Sequence, residues 1–130
     1  MADVNRGNRP LSPHLQIYRL QIPMISSILA RITGNALLVG ALVFIWWLFA
    51  AAAGPEYYAF ANGLVTSWLG LLVLAGSLWA LYFHGLAGIR HLIWDSGHGL
   101  DLATSERMGW VVILGSVAAT LVTLVALAAG

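Results

Sequence analysis

Three long stretches of this chain carry no Lys, Arg, Asp or Glu, and they restrict its fold more than any other feature. The stretches run from Ile32 to Pro55, from Tyr57 to Ile89 and from Met108 to Gly130. A helix needs about 20 apolar residues to cross a bilayer core of roughly 30 Å, and each stretch is at least that long. We therefore predict an all-α membrane protein with three transmembrane helices.

The composition excludes several other classes of protein. Charged residues make up 8% and hydrophobic residues 60% of the chain, whereas about a quarter of a soluble protein is charged. The absence of Cys excludes disulfides, iron–sulfur ligation, thiolate zinc sites and a cysteine nucleophile. All basic residues are Arg, so a Walker A or Schiff-base lysine is excluded, and a net charge of +1 without a basic run excludes nucleic acid as a partner.

Local signals place the ends of the three predicted helices. Pro23 suits a first helical turn, and Gly54 precedes a proline that ends the first span. The middle run is too long for one straight span, and the glycines at 97 and 99 end its helix. Thr104–Glu106 offers capping chemistry for the third helix. The predicted transmembrane region is residues 23–130, with spans at about 23–53, 63–96 and 105–129.

The distribution of arginines predicts the orientation in the membrane. Residues 1–22 are polar and contain two prolines, which is unlike a signal or transit peptide. Four arginines precede or enter the first helix, whereas the first loop carries only Glu56. By the positive-inside rule the N-terminal segment 1–22 and the second loop are cytoplasmic and the C-terminus is outside.

His84 is the residue in the middle run that most strongly indicates a function. Ser77, His84 and His91 are seven apart and share one helix face. The other residues near His84 on that face are small: Ala80, Ala87 and Gly88. Small neighbours fit either a slot for a flat macrocycle whose iron binds the imidazole or close helix packing. His84 lies about 15 Å inward from Trp94 along the helix, and this depth favours the ligand interpretation.

The spacing of the histidines limits what this chain can do alone. A haem with two imidazole ligands needs them on opposite faces of the porphyrin. His84 and His91 are about 10.5 Å apart on the same side of one helix, and His98 lies beyond its predicted end. A haem bound by His84 would therefore take its second imidazole from another chain.

Other polar residues near the predicted cytoplasmic surface have two interpretations each. Ser27 and Arg31 share a face of the first helix with Gly34. Arg31 is either a positive-inside anchor or a cation for a buried anion such as a haem propionate, and with the Ser27 hydroxyl it would suit a quinone carbonyl. His91 faces either a propionate or lipid headgroups. Asp95 either delivers protons near a quinone or pairs with an arginine at 90 or 31.

Three motifs together resemble the cytochrome b556 membrane-anchor family of succinate dehydrogenase, respiratory complex II. They are residues 9–18 (RPLSPHLQIY), residues 27–34 (SILARITG) and residues 84–97, in the pattern HxxxGIRHLxWDxG. The resemblance implies that His84 is an axial ligand of haem b and that a small partner anchor gives the other. It implies that Ser27 and Arg31 line the ubiquinone site and that Arg31 lies near the propionates. The chain departs from the family at Ala30, where a histidine is frequent.

The resemblance also implies the function and the partners. The chain would be a non-catalytic anchor in the bacterial cytoplasmic (inner) membrane, in contact with lipid, with one haem b shared with the second anchor. A flavoprotein subunit would oxidise succinate, and an iron–sulfur subunit would pass electrons to ubiquinone. The alternatives are an anchor of a quinol:fumarate reductase, a haem-free structural anchor, and a small carrier that uses His84, Arg31 and Asp95 as a relay. The relay is disfavoured because the ionisable groups cluster in one half of the membrane.

Overall fold

The computed structural model describes residues 19–130, and in this part of the chain all regular secondary structure is helical. The helices are α1 (Ile22–Ala53), α2 (Pro55–Val65), α3 (Trp68–Asp95) and α4 (Leu102–Ala129). Three of them, α1, α3 and α4, are long and apolar enough to cross a membrane. The prediction of an all-α protein with three spans is confirmed in this respect.

Helix α1 begins and ends where proline and glycine direct the backbone. Pro23 occupies the first turn, where its missing N–H has no intrahelical partner to lose. The helix ends at Ala53, and Gly54 follows it as the C-cap. The φ of 134° at Gly54 is a backbone conformation that residues other than glycine rarely adopt. Pro55 then starts α2. With 32 residues, α1 is about 48 Å long, so it exceeds the hydrocarbon thickness of a bilayer.

The short helix α2 was not predicted from the sequence. We expected the second span to begin near residues 63–67; α2 continues to Val65, and α3 begins at Trp68. The break lies at Ser67, whose Oγ accepts a hydrogen bond from the Gly70 amide at 3.1 Å and so caps α3. The Thr66 amide donates to the Asn62 carbonyl and closes α2.

The last helix begins earlier than the expected residue 105. Asp101 is its N-cap, because Oδ1 of Asp101 accepts a hydrogen bond from the Thr104 amide at 2.9 Å. This bond lowers the pKa of the Asp101 carboxyl. The turn before it uses positive φ angles at Gly97 and Gly99. The cap is therefore Asp101, rather than a residue of Thr104–Glu106.

Helix α3 holds the three spans together, since it packs against both α1 and α4. A small buried core joins Phe83 and Ala87 of α3 to Val112 of α4. Farther along, the Tyr82 and Thr123 hydroxyls form a hydrogen bond of 2.8 Å between α3 and α4. Many large apolar side chains point outward instead, as expected of helices that lie in lipid.

Candidate functional site

Close contacts between α1 and α3 define how the two helices are aligned. Gly40 lies against Ser77 and Gly34 against His84, while Ser26 bonds to Arg90. Lower numbers on α1 thus pair with higher numbers on α3, as in an antiparallel pair. This alignment brings the Ser27 end of α1 to the His91 end of α3.

An open cavity of about 430 Å³ lies between α1 and α3. Its lining residues are Ser27, Ala30, Arg31, Gly34, Asn35, His84 and His91. Four residues that the sequence singled out, two from each helix, therefore line one cavity. Asp95, the last residue of α3, is exposed and is not part of the lining.

The imidazole of His84 is held by the backbone of the neighbouring helix. Its Nδ1 lies 3.0 Å from the carbonyl oxygen of Ala30. A carbonyl oxygen only accepts hydrogen bonds, so Nδ1 carries a proton, and in the neutral imidazole Nε2 keeps its lone pair. His84 is exposed on the flank of the bundle, and this tautomer is the one that binds a metal through Nε2.

His91 has the same tautomer for a different local reason. Its Nδ1 lies 2.7 Å from the Ala87 carbonyl oxygen, one turn earlier in α3, so Nδ1 donates and Nε2 keeps the lone pair in the neutral imidazole. The ring meets Trp94 edge-on, with 5.2 Å between the ring centroids. His91 is thus a second oriented imidazole in the cavity.

The α1 side of the cavity carries hydroxyl, guanidinium and amide groups. Ser27, Arg31 and Asn35 follow one another at intervals of four residues, which places them on one helix face. Nδ2 of Asn35 donates to the Arg31 carbonyl oxygen at 3.0 Å. Asn35 was missed in the sequence, although its spacing from Arg31 was a usable signal.

Arg90 forms a buried polar contact that the sequence did not reveal. Its side chain is 1% exposed, its Nη1 donates to Ser26 Oγ at 2.6 Å, and its guanidinium lies 4.6 Å from the Trp94 ring centroid. Its Nε and Nη2 have no hydrogen-bond partner among the described residues. The expected pairing of Arg90 with Asp95 is therefore wrong, because Nη1 bonds to Ser26 of α1 and lies near Gly109 of α4.

The small residues of α3 mostly serve packing, which corrects the expected slot beside His84. Ala80 and Ala87 are 3% and 2% exposed, and Ser77 lies against Gly40. Gly88, by contrast, has open space where a side chain would be. The space next to the His84 imidazole is bounded by α1 instead, chiefly by Ala30, Arg31 and Gly34. The motif at residues 9–18 lies outside the described residues.

The family model and the curated relatives that match this chain indicate the same protein family. Residues 5–123 match the model of a family described as succinate dehydrogenase/fumarate reductase transmembrane subunit. A succinate dehydrogenase cytochrome b556 subunit of Paracoccus denitrificans is 52% identical, over 96% of this chain and 96% of that protein.

More distant relatives carry corresponding names. A cytochrome b556 subunit of succinate dehydrogenase from Rickettsia felis is 38% identical, over 88% of this chain and 90% of the relative. The mitochondrial cytochrome b560 subunit of succinate dehydrogenase from Sus scrofa is 39% identical, over 83% of this chain and 65% of the relative. The similarity thus extends over the three spans, which include the two helices that line the cavity, α1 and α3.

Proposed function

This chain belongs to the succinate dehydrogenase/fumarate reductase transmembrane subunit family, and from that premise we propose that it is the membrane-anchor cytochrome b subunit of a succinate:ubiquinone oxidoreductase. The observation that carries the proposal is the convergence of Ser27, Arg31, His84 and His91 on one cavity. The names of the relatives support the succinate dehydrogenase assignment. In this role the chain anchors a flavoprotein and an iron–sulfur subunit, and it performs no succinate chemistry itself.

The donor set of the cavity fits a haem b. His84 would bind the haem iron through Nε2, and the Ala30 carbonyl orients the ring through Nδ1. Arg31 would offer a cation to the propionates, and His91 would donate to them from Nε2 when that nitrogen also carries a proton. When bound, the haem supplies a one-electron redox centre. The residues of this chain hold it, orient it and balance its negative charge.

A second anchor subunit completes the haem site in this proposal. The described residues contain no cluster of three or more His, Cys, Asp or Glu that could hold a metal. His91 lies on the same helix as His84, so both imidazoles cannot reach opposite faces of one porphyrin. A second imidazole for the iron would therefore come from a small partner subunit, and the two chains would share the haem.

The same cavity offers groups for the ubiquinone carbonyls. Ser27 and Arg31 are hydrogen-bond donors on one face of α1, and charge-assisted bonds from a guanidinium are the stronger kind. Asp95 lies one turn beyond His91 at the end of α3, where it delivers protons from the aqueous phase. The arginine distribution supports a topology with residues 1–22 in the cytoplasm and the C-terminus outside. The proposed location is the bacterial inner membrane.

A quinol:fumarate reductase anchor is the second candidate, because the matching family model covers both enzymes. The two differ in the direction of turnover rather than in the residues that the cavity needs. Comparing succinate oxidation with fumarate reduction in the purified complex distinguishes them. The higher rate with succinate and ubiquinone supports the first assignment.

The haem assignment is tested by His84→Ala in the complete membrane complex. We expect loss of the b-type signal in a reduced-minus-oxidised spectrum while the chain still inserts. His98→Ala is the matched control, because His98 lies in the turn after α3 and bonds to Ser96. Wild-type haem content in His84→Ala would overturn the ligand assignment, whereas a wild-type complex without a b-type signal would favour a haem-free anchor.

A further inference from the structure

Gly34 lies so close to the His84 imidazole that position 34 has no room for a side chain unless the ring moves. A Cβ atom at position 34 would lie 2.9 Å from Cε1, 3.4 Å from Nδ1 and 3.8 Å from Nε2 of the imidazole. Real Cβ atoms essentially never lie within 3.0 Å of another heavy atom in this way. The imidazole therefore lies against the bare backbone of α1.

A second contact fixes the rotation of the same ring. The Ala30 carbonyl, one turn before Gly34, accepts the hydrogen bond from Nδ1 at 3.0 Å. The ring thus has a steric limit at Gly34 and a directional bond at Ala30, both from α1. Few degrees of freedom remain for an imidazole held in this way.

We propose that Gly34 and the Ala30 carbonyl form a seat that positions the His84 imidazole and thereby tunes the redox potential of the iron it binds. This inference rests on the proposed function, since it needs His84 as the axial ligand. Gly34 is a positioning residue, because it acts only through His84. A hydrogen bond from Nδ1 to a carbonyl raises the basicity of a metal-bound imidazole. A more basic ligand stabilises ferric over ferrous haem and lowers the midpoint potential.

The seat makes a specific prediction for Gly34→Ala. A methyl group at position 34 moves the ring rather than the backbone, because the atom it meets is at the end of a side chain. The displaced ring makes a longer bond to the Ala30 carbonyl. We expect the variant complex to retain haem, with a midpoint potential higher than that of the wild type and altered low-temperature EPR g-values.

Gly40→Ala is the matched control for helix packing. Gly40 also lies on α1 and faces α3, where a Cβ atom would lie 3.3 Å from Ser77 Oγ, but it does not contact His84. We expect wild-type potential and g-values in this variant. Equal shifts in Gly34→Ala and Gly40→Ala, or no shift in Gly34→Ala, would overturn the seat.

A double variant covers the case in which Gly34→Ala fails to assemble. If the methyl group clashes with the imidazole, Gly34→Ala/His84→Ala assembles as well as His84→Ala alone, because the clashing ring is gone. Failure of the double variant where His84→Ala assembles would place the clash elsewhere and overturn the seat. Retention of haem in His84→Ala is a different result, since it refutes the ligand role of His84 in the proposed function, on which the seat rests.

Discussion

Arg31 of α1 and Arg90 of α3 differ in burial: the first is exposed and the second is buried. Arg31 is exposed and lines the cavity between α1 and α3. Arg90 is buried, bonded to Ser26 and packed on Trp94. The two side chains should therefore respond differently to substitution, Arg31 through activity and Arg90 through stability.

Arg31→Ala should weaken quinone reduction much more than succinate oxidation by a soluble artificial acceptor. A hydrogen bond from a charged group contributes about 1.5–3 kcal/mol, which corresponds to a loss of roughly ten- to a hundredfold in quinone reductase activity. Both rates are measured on the purified complex. Arg107→Ala is the control, since Arg107 is exposed on α4 and lies outside the cavity. An equal loss of both activities would indicate failed assembly instead.

Arg90→Ala should destabilise the helix bundle. Truncating a long buried side chain costs about 2–5 kcal/mol through lost packing, and Ser26 loses its bond to Nη1. Arg90→Met should be milder, because it fills most of the space and removes two buried groups without partners among the described residues. Thermal unfolding in detergent measures both. A midpoint for Arg90→Met as low as that for Arg90→Ala would contradict this order.

Sequence spacing located His84, Arg31 and Ser27, but it could not assign the roles of Gly34 and Arg90. Periodicity shows which residues share a face of one helix. It does not show how far two helices slide along each other, and that alignment decides that Gly34 meets His84 and Ser26 meets Arg90. For the same reason the sequence predicted that Ala80 and Ala87 line a slot beside His84, whereas both are buried in the interior of the bundle.

Among the helices, α4 depends on a single capping residue. Asp101→Ala removes the acceptor for the Thr104 amide, so the first turn of α4 should fray. Asp101→Asn should behave like the wild type at neutral pH, because Asn caps helices as well as Asp. Hydrogen–deuterium exchange of the first turn of α4 measures the fraying. Unchanged exchange in Asp101→Ala would show that packing alone holds this turn.

The same cap should depend on pH. The hydrogen bond from Thr104 lowers the pKa of the Asp101 carboxyl below its ordinary value of 3.8. The stabilisation is therefore complete above the unfolded value and is lost as the pH falls through the lower, folded value. Exchange of the first turn, corrected for intrinsic rates, should rise there in the wild type. It should not rise in Asp101→Asn, which has no carboxyl to protonate.

At the same scale, hydropathy predicted the three spans but missed α2. Residues 55–67 are less apolar than the spans and include Glu56 and Asn62, so a window that measures transfer to lipid does not distinguish a short helix there from a loop. What separates α2 from α3 is local hydrogen bonding, from Gly70 to Ser67 and from Thr66 to Asn62. Trp46 and Trp47 then fix α2 to α1 by bonds to Tyr57 and Asn62.

For the whole molecule, we expect that the purified chain alone does not give the low-spin spectrum of a haem with two histidine ligands. The cavity contains two imidazoles, but both project from α3. Expression with and without the partner anchor, followed by low-temperature spectroscopy, tests this. A native spectrum from the lone monomer would contradict it, and the mass of the sample excludes a homodimer that contributes two copies of His84.

The cavity lies on the flank of the bundle, between two membrane-spanning helices, with His84 and Asn35 exposed there. A hydrophobic molecule can therefore arrive from within the lipid, by diffusion in the plane of the membrane. Its effective concentration is then a mole fraction of the lipid phase and not a molarity in the surrounding water. Adding lipid or detergent at a fixed amount of quinone dilutes the substrate and raises the apparent KM, although nothing in the aqueous phase has changed.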